Sequence, residues 1–361
     1  MNKRPWMRWL VSSSDNLKPV LSKAEGSKIE KRPRRPKWMR MIALVVAFAL
    51  CGAVAHAQQT GKIFRIGFLD PSTASGMAVL VDAFRQEMSK LGWIEGKNLT
   101  IEYRFGENKG TKRLPELAAE LVRLKVDLIP VADTPSSLAA KSATTTIPIV
   151  MVSVGDPVAA GLVASLARPE GNVTGFSGLS VDLNTKRLEI LKDAVPKLAR
   201  VGLLRPAGGS DRQLKNLRAA ALALKLRLEE IETQVDAKGL ESAFKTAKQK
   251  QVNAIMTTTA STFFAERKRI VEFAGKYRLP AIYYQKEFVD EGGLMSYGAD
   301  YDDLFRKAAH YVDKILKGTK PADLPVQQAM RFEFIISLKA AKQIGHTIPY
   351  ELLARANKVI Q

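Results

Sequence analysis

Cysteine is all but missing from this chain: Cys51 is the one instance in 361 residues. That excludes a disulfide within the chain and a cluster of thiolate metal ligands. Histidine is nearly as scarce, with only His56, His310 and His346, so an imidazole zinc site or a catalytic triad has almost nothing to draw on. No Gly-x-x-x-x-Gly-Lys-Ser/Thr loop, nucleophile elbow or paired acid/base motif occurs, which argues against an ATPase or hydrolase and leaves no cofactor to expect. A DNA-binding repressor would need an N-terminal helix-turn-helix, where this chain has a basic run and an apolar block. Long hydrophobic runs are lacking too. The one apolar block, over 41–54, is shorter than the ~20 residues a membrane-spanning helix needs.

That block has a specific setting. The basic run Lys31-Arg32-Pro33-Arg34-Arg35-Pro36-Lys37 precedes it and Ala55-His56-Ala57 follows it. A basic flank, a short apolar core and an Ala-x-Ala exit predict a secretory signal peptide, cleaved after Ala57 to release a chain starting at Gln58. An uncleaved anchor is the alternative. Lipidation at Cys51 is not expected, because bulky Leu50 precedes it. The expected location is the periplasm, and the mature chain holds no cysteine at all. The first 40 residues are long for a signal, and Met39 or Met41 is an alternative start.

Charge divides along the same line. The net formal charge is +20, of which +9 sits in residues 1–57 and +11 in the rest. The remaining lysines and arginines are scattered over helix surfaces, and an exported protein meets little DNA. A solvated surface is therefore expected, with no nucleic acid partner.

From Ile63 onward, short apolar runs alternate with segments of helical period. Strands are expected over 63–69, 99–103, 126–131 and 147–152, with helices near 80–91, 114–124, from Pro135, and over 157–166. The pattern then restarts, with strands over 201–204, 226–231, 254–257 and 281–284. Helices fall between them over 211–224, 239–248 and 265–274. A long helix over 302–316 ends at Gly318, with Pro321 beyond. Two α/β lobes with parallel sheets follow from this alternation. The expected boundaries are 62–176 with 297–325 for the first lobe and 177–296 with 326–361 for the second, joined by a hinge of several crossovers.

The residues resemble a known family. The markers include Leu91-Gly92-Trp93-Ile94-Glu95-Gly96-Lys97-Asn98, Leu114-Pro115-Glu116-Leu117-Ala118-Ala119-Glu120-Leu121-Val122 and Gly155-Asp156-Pro157-Val158. Ser165-Leu166-Ala167-Arg168-Pro169, Gly292-Gly293-Leu294-Met295-Ser296-Tyr297-Gly298 and Pro321-Ala322-Asp323-Leu324-Pro325-Val326 complete the set. Over 62–361 the chain resembles the ABC transporter substrate-binding proteins described as tryptophan/tyrosine transport system binding proteins. The resemblance implies a type I periplasmic-binding fold, two Rossmann-like lobes with a small molecule between them. It also implies an inner-membrane ABC permease with its ATPase as partner, and a monomer that binds and does no chemistry. An amino acid, of aromatic type, is the favoured ligand. The alternatives are a sensor that signals to a membrane receptor and, further off, an exported enzyme.

Ligands of doubly wound sheets sit beyond the carboxyl ends of the strands, where helix N-termini present free N–H groups. That selects the candidate contacts. Asp70 suits a ligand ammonium, and the Ser72 and Thr73 hydroxyls suit a carboxylate. Thr134 and Pro135 begin a helix, where capping alone would explain the threonine. Ser153, Gly155 and Asp156 form a third loop, in which Asp156 before Pro157 reads equally as a cap. Ser177 ends the strand beside the first crossover. In the second lobe Arg205 suits a bidentate carboxylate contact, and Thr258 and Thr259 follow a strand. Here the chain departs from the family pattern, which usually has Asn-Pro where Arg205-Pro206-Ala207 stands and Asp-Pro near Thr258-Thr259. Tyr284, Phe288 and Tyr297 are candidate aromatic walls, and core packing explains each as well.

Overall fold

The structure, a computed structural model, describes residues 62–361 apart from Ser210; the expected export signal and its cleavage site lie outside the described residues. The first lobe runs β1 (Phe64–Asp70), α1 (Ala74–Lys90), β2 (Leu99–Phe105), α2 (Leu114–Arg123), β3 (Ile129–Val131), α3 (Thr134–Ala143), β4 (Ile149–Val154) and β5 (Val173–Ser177). The second follows with α4 (Ser180–Ala194), β6 (Arg200–Pro206), α5 (Leu214–Ala223), β7 (Arg227–Thr233), α6 (Ala237–Gln249) and β8 (Ala254–Thr257). It continues through α7 (Ser261–Ala265), α8 (Arg267–Lys276), β9 (Ala281–Tyr283), α9 (Glu287–Asp290) and β10 (Met295–Ala299). The chain then supplies α10 (Tyr301–Leu316), β11 (Gln327–Gln328), β12 (Phe332–Ser337), α11 (Leu338–Ile344), α12 (Tyr350–Leu353) and β13 (Lys358–Ile360).

Two sheets result. The first has the order β11-β5-β4-β3-β1-β2 and is wholly parallel. The second has the order β13-β12-β10-β9-β8-β6-β7 and is parallel except where β12 runs against β10. Each order reverses once, between β1 and β3 in the first sheet and between β6 and β8 in the second. Those two switch points are where a doubly wound sheet opens a crevice at its carboxyl edge.

Three crossings join the lobes: after Ser177, around Asp300, and between Gln328 and Phe332. β10 lies in the second sheet through Ala299, and Gln327–Gln328 pairs with Phe176–Ser177 in the first. The crossings therefore fall a few residues from the expected 297 and 325, because strand pairing sets them rather than composition. α10 is tied back to the first lobe by Phe305 against Phe68 at 6.5 Å, Tyr311 against Phe176 at 4.7 Å, and Trp93 Nε1 donating to Asp313 Oδ1 at 2.9 Å.

One local expectation fails. The segment expected to be helical over 157–166 is a turn, closed by Ala160 N on Asp156 O and Leu162 N on Pro157 O, and stopped by Gly161 at φ 70°. The helix expected over 265–274 is present as α8, shifted by two residues, with the short α7 ending just before it at Ala265. Conversely, the 15-residue α4 was not anticipated, because its polar residues at Ser180, Asn184 and Arg187 interrupt the apolar face.

The lobes touch on one side through α1 and α7. A Cβ added at Gly76 would lie 2.3 Å from Ala265 Cβ and 2.5 Å from its Cα. Beside this contact Arg267 Nη1 donates to Gly76 O at 3.0 Å, and Asn108 Nδ2 donates to Glu266 Oε1 at 3.4 Å. Gly76→Ala should thus have opposite effects on the two scales. It favours α1 locally by up to about 1 kcal/mol but obstructs closure. Ligand affinity is expected to fall roughly 10-fold, about 1.4 kcal/mol, with no loss of melting temperature in the ligand-free protein. Calorimetric titration beside a thermal melt checks this, and unchanged affinity would show that the lobes need not meet here.

Candidate functional site

Between the lobes lies a cleft of about 550 Å³, walled by both switch points. From the first lobe come Ala132, Asp133, Thr134, Pro135, Ser153 and Gly155. From the second come Ser180, Val181, Arg205, Pro206, Thr258 and Thr259, with Tyr301 at the second crossing. Much of the remaining wall is small or aliphatic: Pro71, Leu138, Ala159, Ala207, Leu214 and Val235.

The most unusual chemistry is a pair of carboxylates at the β1/β3 switch point. Asp133 caps α3: its Oδ1 accepts from Ser136 N at 3.0 Å and Ser136 Oγ at 2.6 Å. Its Oδ2 accepts from Ser261 Oγ, across the cleft, at 3.2 Å. Asp70, at the end of β1, is fully buried; its Oδ1 accepts from Ser72 N at 2.7 Å and from Ser72 Oγ. Asp70 Oδ2 has no partner. Burial, and then the neighbouring Asp133 charge, push the Asp70 carboxyl up to about 7, and burial raises Asp133 as well. Two acids so placed favour a cation or a shared proton.

Unfolded, Asp70 titrates near ~3.9; folded, near 7. A raised acid contributes stability that is intact below the unfolded value and is lost as pH climbs through the folded one. The ligand-free protein should therefore lose stability between pH 4 and 7, by no more than about 1.4 kcal/mol per unit from this group, and level off above. Urea unfolding across pH 5 to 8 checks it. Asp70→Asn is expected to flatten the slope, and an identical slope in the variant would show that the carboxyl titrates normally.

The other expected contacts divide. Thr134, Pro135, Ser153, Gly155, Asp156, Arg205, Thr258 and Thr259 all line the cleft. Thr134 Oγ1 accepts from Gly155 N at 3.5 Å, and Asp156 Oδ1 accepts from Ala159 N at 3.0 Å, so both also serve as structural acceptors. Arg205 is already engaged, 3.0 Å from Asp211, 3.5 Å from Glu230 and 3.6 Å from Glu232, with its side chain 15% exposed. Three carboxylates occupy its fork, so it is not open to a ligand carboxylate.

Seven expected contacts do not line the cleft. Asp70 and Ser72 lie beneath it, bonded to one another, and Thr73 Oγ1 accepts from Gly76 N as the α1 cap. Ser177 Oγ donates to Gly155 O at 2.9 Å. Phe288 is fully buried and stacks on Tyr283 at 4.6 Å. Tyr284 is also buried, its hydroxyl donating to Ala260 O at 2.6 Å, while Tyr297 packs against Phe334. Tyr284 and Phe288 face the core because β9 and the helix after it are covered on both sides, whereas Tyr297 is half-buried on β10. The aromatic side chain in the wall is instead Tyr301, whose hydroxyl bonds Ser153 and whose proton burial holds more tightly than usual.

Sequence reasoning also passed over Asp133, Ser180 and Ser261. Asp133 was visible as the residue preceding Thr134-Pro135, Ser261 as the last residue of the strand-end loop that holds Thr258 and Thr259, and Ser180 as part of a polar stripe at helical spacing.

Residues 66–360 match the family described as "ABC transporter substrate binding protein". The chain belongs to this family. Among curated relatives, a tyrosine-binding protein of Clostridioides difficile is 29% identical over 262 residues, covering 72% of this chain and 75% of that protein. A conserved domain protein from Vibrio cholerae has a TM-score of 0.75 at 28% identity, covering 82% of this chain and all of that one. A Streptococcus pneumonia ABC domain in complex with L-Trp gives 0.71 at 25% identity, covering 82% and 99%. A ligand-free, open substrate-binding protein from Clostridium difficile gives 0.55 at 25% identity, covering 83% and 99%. As a family member the protein is a solute-binding component with a type I periplasmic-binding fold.

Proposed function

We propose that the chain is the extracytoplasmic binding component of an ABC importer and carries an aromatic α-amino acid in the interlobe cleft. The observation that carries this reading is the acid pair Asp70–Asp133 at the end of an otherwise mainly apolar cleft. A ligand ammonium would meet Asp133, with the Asp70 charge behind it, and an apolar side chain would run along the aliphatic wall. The related proteins support the ligand class, since one is a tyrosine-binding protein and another holds L-Trp. The likeness is also greater to the tryptophan complex than to the open, ligand-free relative, in keeping with lobes drawn together around the cleft. Binding shifts an open-closed equilibrium, and the closed form would dock on an inner-membrane permease driven by its ATPase. We further propose a periplasmic monomer, released by cleavage after Ala57, with no catalytic step.

A thermal-shift screen of residues 58–361 against the amino acids tests the reading. At 100 times its Kd, a ligand of the folded state adds about 2.7 kcal/mol. Tryptophan, tyrosine or phenylalanine is expected to raise the melting temperature. A rise only with another class of compound would discard the aromatic assignment.

A further inference from the structure

The unanticipated helix α4 carries a buried polar stripe. Ser180, Asn184 and Arg187 stand at i, i+4 and i+7, so they share one face, and each is buried, Arg187 to 1% exposure. The Arg187 guanidinium donates only to neutral acceptors. Nη1 reaches Tyr297 O at 3.0 Å, and Nη2 reaches Asn184 Oδ1 and, at 3.1 Å, Thr259 Oγ1. Nε has no partner. Among the described residues no carboxylate lies within ion-pair distance of it. The ionisable groups that act on it are the hydroxyls of Tyr301, Tyr284 and Tyr297, and burial keeps the first two protonated. A guanidinium out of water with no anion is strongly unfavourable, so its charge calls for a partner the chain does not supply.

The neighbours say where that partner would sit. Thr259 and Tyr301, which flank Arg187, both line the cleft, as do Ser180 and Val181 at the start of its own helix. That N-terminus has no side-chain cap, so its free N–H groups add positive potential on the same side. We infer that Arg187 determines specificity for a ligand carboxylate, holding it from one side-chain layer behind Thr259 and Tyr301. The inference rests on the amino-acid reading: with Asp133 at the other wall, the cleft is polarised to match a zwitterion. Arg205, the arginine that does line the cleft, is neutralised by acids, whereas the buried one is not.

The test is a ratio. L-Tyrosine, L-tyrosinamide and tyramine are titrated calorimetrically at pH 6 into wild type, Arg187→Lys and Arg187→Gln. Wild type is expected to prefer the free acid to its amide by on the order of 10- to 100-fold, the effect of one opposite charge at intermediate dielectric. Arg187→Lys should keep most of that preference, and Arg187→Gln should reduce it to within about 3-fold. A merely structural arginine would weaken acid and amide alike, so an unchanged ratio in a folded Gln variant overturns the inference. If that variant does not fold, wild type decides: tyramine binding as tightly as tyrosine also overturns it. If no aromatic amino acid binds, the ligand reading fails separately, and acid-to-amide ratios for the other amino acids decide the role of Arg187. Failure of every carboxylate ligand sinks both.

Discussion

Asp133→Asn is expected to weaken amino-acid binding by about 100-fold or more while leaving the melting temperature of the ligand-free protein nearly unchanged. The two halves of that result have different causes. Asparagine accepts a hydrogen bond at a helix N-cap as well as aspartate does, so the bond from Ser136 N that starts α3 survives. What disappears is the negative charge facing the cleft. Removing one member of a desolvated, hydrogen-bonded charge pair costs about 2–5 kcal/mol of binding. Asp70 cannot replace it, being wholly buried and already bonded to Ser72. Asp133→Ala gives the contrast, because it adds the loss of the cap, typically ~1 kcal/mol, and should lower the melting temperature too. Calorimetric titration of both variants checks the pair, and near-normal affinity in Asp133→Asn would remove the ammonium from this end of the cleft.

Gly175→Ala is expected to cost about 3–5 kcal/mol of folding stability, combining a strained backbone with overpacking. Gly175 lies in β5 at φ 131°, where side-chain-bearing residues are strained. A Cβ there would stand 2.1 Å from Met151 O and 2.5 Å from Met151 N. Those atoms belong to the paired strand β4, so no side-chain rotation relieves the clash. Relief would require parting β4 from β5 just before the first crossing, next to Ser153 and Gly155 of the cleft. Urea unfolding should show a lower midpoint at a similar slope. A midpoint within error of wild type would mean the strand bends freely at this point.

The sequence laid open the fold more readily than the site. Leu80, Phe84 and Met88 recur at helical spacing because one face of α1 packs on the sheet, and all three are buried. The strands 63–69 and 99–103 were legible for the same reason. Loops were harder: Asp156-Pro157 announces the start of a helix, but Gly161 turns the chain back after one turn. Helix α4 was obscured because Asn184 and Arg187, both buried, break its apolar pattern.

The wall residues show the same division. Thr134, Gly155, Arg205 and Thr259 could be named from the rule that strand ends carry the ligand, since that rule depends on local order along the chain. Tyr284, Phe288 and Tyr297 look like an aromatic pocket on paper, but the layers on either side bury the first two and Tyr297 packs on Phe334. Which of two arginines stays unpaired is equally invisible in sequence. Arg205 meets Asp211, Glu230 and Glu232, whereas Arg187 meets only neutral oxygens.

The sequence by itself determined the alternation of strands and helices, the two lobes and the family, because each follows from periodicity or from short ordered markers. Only the tertiary structure decided the chemistry of the cleft. Asp70 and Asp133 are 63 positions apart, and Ser261 is 128 beyond Asp133. Their meeting, and the proton affinity it creates, depends on burial and on distances across two sheets, which no local stretch of residues encodes.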